Sequence, residues 1–113
     1  MYQIVKIGDR DVPMLAMASA DVYYKRIFND DPIKAQMKGD ESAIEFALRM
    51  GFVMAKFAET RNRKEMLKLN DDSFLDWLDG FYRADLMEAI GDIIMVYENQ
   101  KNTSSTEKKR ADE

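Results

Sequence analysis

Asp72, Asp76 and Asp79 recur at i, i+4 and i+7, a spacing that sets three carboxylates on one face of a helix. Three such groups have the chemistry to hold a hard cation through oxygen ligands. The spacing is not that of a calcium-binding loop, however, and Phe74, Trp77 and Leu78 claim the opposite face. Acids in a first helical turn also favour the helix through its dipole, so this face reads as solvated rather than ligating. The basic run Arg61-Asn62-Arg63-Lys64 reads as a helix end or loop with the charge to dock an acidic partner. The chain has no histidine and no cysteine, which removes the usual general base near neutral pH, the commonest metal ligand and all thiol chemistry. No phosphate-binding glycine loop, nucleophile elbow or zinc spacing is present. The residues predict a protein that is not an enzyme and needs no cofactor.

The elements that would position these residues begin with a hairpin. Tyr2, Ile4, Val5 and Ile7 suit a pleated strand. Gly8-Asp9-Arg10-Asp11 is a polar turn, and Val12 onward returns as a second strand. Pro13 cannot donate to a ladder, so that strand is predicted at an edge. A two-stranded hairpin is marginal alone and must lean on helices or on another copy. Val12, Pro13 and Met14 are therefore the candidate assembly edge.

Ser19 is the expected N-cap of a first helix, in which Ala20, Tyr23, Tyr24, Ile27 and Phe28 form one apolar face. Asn29-Asp30-Asp31-Pro32 ends it and starts a short helix reaching about Met37, with Asp31 as cap and Pro32 in the first turn. Lys38-Gly39 closes that helix, and Asp40 caps the next.

The central helix, about Glu41 to Thr60, is apolar almost all round. From Ala43 to Ala58 its only charges are Glu45, Arg49 and Lys56, on one narrow stripe, with Glu45 and Arg49 placed as an i, i+4 ion pair. Such a helix is either a core helix wrapped by the others or one that packs partly against a partner. On the second reading Phe46, Met50, Gly51, Val53, Met54 and Phe57 are the candidate client-binding or self-association surface. Nine methionines point the same way, since methionine fills irregular cores and also serves adaptable binding surfaces.

A helical turn over Glu65 to Leu69 follows. Asn70-Asp71-Asp72-Ser73 is then a cap signal for a short helix with Phe74, Trp77, Leu78 and Phe81 on its apolar face, ended or kinked by Gly80. A last helix, from Arg83 or Ala84 to Asn99, carries Leu86, Ile90, Ile93, Ile94 and Tyr97 on one side and Asp85, Glu88 and Asp92 on another. Residues 101–113 hold a single apolar residue, Ala111, and are predicted as a disordered polar tail. The fold class is α+β, mostly α: an N-terminal β-hairpin followed by about five helices in one domain over residues 1–100.

Composition bounds the partners. A length of 113 residues is one domain with a modest core. The net charge is −4 and the 17 basic residues are interspersed with 21 acidic ones, which argues against a nucleic-acid stripe. No apolar run approaches a membrane span and the N-terminus lacks a signal-peptide layout, so a soluble cytoplasmic protein is expected, with neither nucleic acid nor membrane as partner.

Ile4-Val5-Lys6-Ile7-Gly8-Asp9-Arg10-Asp11-Val12-Pro13-Met14, followed by Tyr24-Lys25-Arg26-Ile27-Phe28, resembles the start of tail assembly chaperones of long-tailed bacteriophages and prophages of Gram-positive bacteria. The broad apolar helix, the segment Asp72-Ser73-Phe74-Leu75-Asp76-Trp77-Leu78, the closing amphipathic helix and the polar tail continue the resemblance over about residues 1–100. The motifs are not a catalytic signature. The resemblance implies a non-enzymatic protein of the host cytoplasm that binds the tape measure protein, helps recruit tail tube subunits around it and leaves before the tail is complete. It also implies a homo-oligomer and, in many members, a longer product made by ribosomal frameshifting, for which Lys108-Lys109 mark a possible slippery run. The competing expectation is a structural phage subunit, such as a head–tail connector protein.

Overall fold

The structure, a computed structural model, describes residues 2–36 and 40–112, with side chains described for residues 2–35 and 43–98. Strands β1 (Tyr2–Ile7) and β2 (Arg10–Leu15) form an antiparallel hairpin. Six helices follow: α1 (Ala20–Phe28), α2 (Pro32–Gln36), α3 (Asp40–Thr60), α4 (Arg63–Leu67), α5 (Asp71–Leu78) and α6 (Arg83–Asp112). The α+β, mostly α class holds, with one helix more than expected because Arg63–Leu67 forms a unit of its own, capped by the Asn62 side chain. Met37, Lys38 and Gly39, expected to end α2, lie outside the described residues, as do the side chains of the predicted tail 101–113.

The hairpin turns on two residues, Gly8 and Asp9, with Gly8 at φ 66° and Asp9 on the ordinary negative side. Positive φ at the first central position alone is the type II′ pattern, whose twist matches the strands. Such a turn makes the flanking Ile7–Arg10 pair exchange hydrogen bonds, and alternation then puts Ile4–Pro13 at a non-hydrogen-bonded position. Pro13 therefore sits where its missing N–H costs the ladder nothing, as expected for an edge.

Val5, Ile7, Val12 and Met14 form the inner face of the hairpin and are buried. They lie over α3 and α6, with β2 against α3 and β1 against α6. Helix α3 is the axis of the molecule: α1, α2, α4, α5 and α6 all touch it. Where it meets α6, Gly51 permits a close approach; a Cβ there would lie 3.2 Å from Ile93 Cγ2.

The core is strongly aromatic. Tyr24 packs on Phe46 at 5.5 Å between ring centroids, Phe46 on Tyr97 at 5.3 Å, and Phe74 edge-on to both Phe28 and Phe52 at 5.1 and 5.5 Å. Edge-on pairs add about 0.5–1.5 kcal/mol each beyond the area they bury. This chain of rings joins α1, α3, α5 and α6. A polar tie supplements it, since the Tyr97 hydroxyl donates to Asp21 Oδ1 at 2.7 Å.

Local signals behave unevenly. Asn70 and Ser73 form a reciprocal capping box at the start of α5. Asp31 caps α2 by accepting from the Ile33 N–H at 2.9 Å. Ser19 precedes α1, but its side chain makes no cap bond, because its backbone is already helical (φ −81°, ψ −2°) rather than extended. The buried stripe of α6 is Leu86, Ala89, Ile93, Val96 and Tyr97, with Ile90 and Ile94 flanking it.

Candidate functional site

Most residues of the central-helix candidate surface face inward. Phe46, Met50, Gly51, Val53 and Met54 are buried in the core, and only Phe57 is partly open, stacked near Tyr23 at 5.9 Å. The hairpin, α1, α5 and α6 together wrap α3, so these residues do not form a surface in this fold. The methionines divide likewise: Met14, Met50, Met54 and Met66 are fully buried, Met17 and Met87 pack at the core margin, and Met95 is exposed.

At the hairpin edge, the Val12 and Met14 side chains are buried and Pro13 is exposed. The outer face carries an unexpected feature. Tyr2, Ile4 and Pro13 are exposed and Leu15 is half-buried, with only the Lys6–Asp11 ion pair (3.5 Å) adding charge. A sheet with one face on the core normally alternates apolar-in with polar-out. Here the outer positions are apolar as well, with Tyr2 49% and Ile4 58% exposed.

This face runs into a groove of about 440 Å³ between β2, the C-terminal half of α3 and the end of α5. Tyr2 and Pro13 belong to both the face and the groove, and Trp77 and Phe81 form the far wall. Arg10 closes one end: its guanidinium lies 4.4 Å from the Phe81 ring centroid and donates to the Gly80 carbonyl at 2.8 Å. Gly80 thus lies just past α5 and holds the hairpin against the α5–α6 turn. Lys56, ion-paired with Glu59 at 3.7 Å, lines the groove as well.

A second groove, about 560 Å³, lies between α1, the end of α3 and α4. Val22, Tyr23, Phe57 and Leu67 give it apolar surface, and Arg26, Arg61 and Arg63 give it positive charge. The expected basic run is therefore the α3–α4 link, Arg61 and Asn62, with the first two residues of α4, and Asn62 is the α4 cap. Arg61 adopts φ 48°, a left-handed conformation usually left to glycine or asparagine.

Inside the molecule, Arg49 forms a small network. It pairs with Asp30 at 3.4 Å and with Glu45 at 3.5 Å, the latter being the expected i, i+4 pair, and it stacks 4.8 Å from the Phe28 ring centroid. Burial pushes the neighbouring Tyr24 phenol above its ordinary range, and the Arg49 guanidinium offsets part of that push. The Tyr24 hydroxyl is buried without a hydrogen-bond partner.

The Asp72, Asp76 and Asp79 side chains are exposed on the outside of α5, with Leu75 among them. Among the described residues no group of three or more acidic side chains is placed to hold a metal ion, and no helix is long and apolar enough to cross a membrane. The arrangement offers surfaces for binding chains: an apolar hairpin face continuous with an aromatic-walled groove, and a basic groove behind it. Sequence reasoning marked each only in part: Pro13 as an assembly edge, and Arg61 and Arg63 as a basic run able to dock an acidic partner. The first had a signal, because β1 is apolar at both odd and even positions. Compared with known proteins, the chain matches no family model, no curated protein and no solved structure.

Proposed function

We propose that this chain is a non-enzymatic tail assembly chaperone of a long-tailed phage or prophage, which binds the tape measure protein in the host cytoplasm and helps recruit tail tube subunits. The resemblance of residues 1–28 to such chaperones supplies the family. The observation that carries the binding role is the outer hairpin face, where Tyr2, Ile4 and Pro13 are exposed beside the Trp77–Phe81 groove. An elongated helical client presents apolar stripes before its own partners arrive, and an apolar face rimmed by charge is the kind of surface that shields them.

The client surface is accordingly the hairpin exterior, in place of the Met50–Met54 face. Ile4→Asp and Tyr2→Asp place charges at exposed positions and leave the inner face intact. Both are expected to fold with unchanged circular dichroism and to lose co-purification with a co-expressed tape measure protein. Retention of that protein by both variants would remove the hairpin exterior from the client surface. Mass spectrometry of purified particles tests the role itself: a chaperone is absent from the finished particle, whereas a connector subunit is present in stoichiometric amount.

A further inference from the structure

We infer that the basic groove between α1 and α4 docks the acidic outer face of α5 from a second copy of this chain, in a head-to-tail contact. The inference stands apart from the identity of any client.

Three arginines, Arg26, Arg61 and Arg63, line the groove and no carboxylate lines it, although the Arg61 guanidinium also lies 5.8 Å from the Tyr2 ring centroid. None of the three takes part in an ion pair among the described residues: Glu65 is bound to Lys68, and Asp21 accepts from Tyr97. Between the arginines lies apolar surface that water covers in the monomer, with Val22 51% and Leu67 46% exposed. A groove of this kind fits a short helix with an exposed aliphatic residue set among acids.

The chain carries such a helix. On α5, Asp72, Asp76 and Asp79 are exposed around Leu75, itself 52% exposed, and none of these aspartates is ion-paired among the described residues. The two patches use different elements and share no residue, so one copy offers both at once. A contact between unlike patches is heterologous and repeats from copy to copy unless its rotation closes a ring.

Arg61 caps the end of α3, its N–H donating to the Phe57 carbonyl at 2.8 Å. Its left-handed backbone is strained relative to glycine, which would satisfy the same turn with less steric cost. The fold keeps an arginine there, which lines the groove while its guanidinium lies 5.8 Å from the Tyr2 ring centroid.

Sedimentation velocity of the full chain, up to about 1 mM where a contact worth roughly 4 kcal/mol becomes visible, tests the inference. The wild type is expected to form concentration-dependent oligomers that dissociate as salt rises through several Debye lengths' worth of screening. Arg26→Glu/Arg63→Glu inverts the groove charge, and Asp76→Lys/Asp79→Lys reverses the α5 face while favouring the end of its helix dipole. Each double variant alone is expected to associate at least about tenfold more weakly, and an equimolar mixture of the two to regain association through restored opposite-charge contacts. Arg61→Gly separates binding from folding: it weakens association while its melting temperature stays level or rises. A wild type that remains monomeric at any salt, variants that associate like the wild type, or a mixture that fails to recover would each overturn the inference.

Discussion

Gly8→Ala probes the joint on which the hairpin's placement depends. Gly8 has φ 66°, and a Cβ on it would lie 2.5 Å from Asp85 Oδ2 and 2.9 Å from Asp85 Cγ, in the first turn of α6. Two costs follow. The backbone cost of holding alanine at positive φ is about 1–2 kcal/mol, of which about 0.4–1 kcal/mol is returned by the stiffer unfolded chain. The steric cost is that of moving a short side chain or the turn itself, about 1–2 kcal/mol by analogy with overpacked sites. The sum is a loss of about 2–3 kcal/mol, a large fraction of the stability of a domain this size. Urea unfolding followed through the single tryptophan, Trp77, measures it. Repeating the substitution in an Asp85→Ala background isolates the clash, because only the backbone cost then remains. The cost of Gly8→Ala is expected to fall by about 1–2 kcal/mol in that background. A cost unchanged by removing Asp85 would refute the claim that the turn is seated against α6.

Other expectations bear on the core and caps. Tyr24→Phe removes a buried hydroxyl without a partner, so stability at pH 7 is expected to stay level or rise by up to about 1 kcal/mol, read by thermal unfolding. The folded state raises the Tyr24 pKa, so it holds that proton more tightly than the unfolded chain. Stability from this group is present below the unfolded value near 10 and is lost as pH rises toward the folded value. The wild type should therefore weaken more than Tyr24→Phe above about pH 10, and parallel curves would contradict the assignment. Asn70→Ala breaks the capping box of α5 and is expected to cost about 1 kcal/mol in chemical unfolding. Gly51→Val adds three carbons beside Ile93 at the α3–α6 crossing, and a loss of about 1–3 kcal/mol is expected; a neutral result would mean that the helices are free to part there.

Much of the architecture was legible because it rests on local chemistry. Gly8 beside β-branched and aromatic residues marked the hairpin, the stripe from Ala20 to Phe28 marked α1, and Asn70 with Ser73 marked the start of α5. Ser19 misled because its residue type suits a cap while the chain enters α1 already in helical conformation. The central helix shows a deeper limit. A helix apolar on all sides announces that it is covered, but periodicity carries no information about what covers it. Met50, Val53 and Met54 were therefore readable as core, the favoured reading, or as a client surface, and tertiary wrapping decided between them. The outer hairpin face was hidden for a related reason. With Tyr2, Ile4, Val5 and Ile7 all apolar, neither parity of β1 stood out as the outside. The basic groove needed α1 and α4 brought together from sequence positions more than thirty residues apart.

Pro13 has a consequence for what this protein does at high concentration. An exposed strand edge is a template on which another chain can extend the ladder. At the outward position of β2, Pro13 offers a carbonyl but no N–H, so an incoming strand meets a missing rung opposite the middle of the edge. Each added strand would forgo about one hydrogen bond there, and the defect recurs with every copy. Growth by backbone pairing is thereby discouraged at its first step, while side-chain contacts, which salt and substitution can tune, stay available.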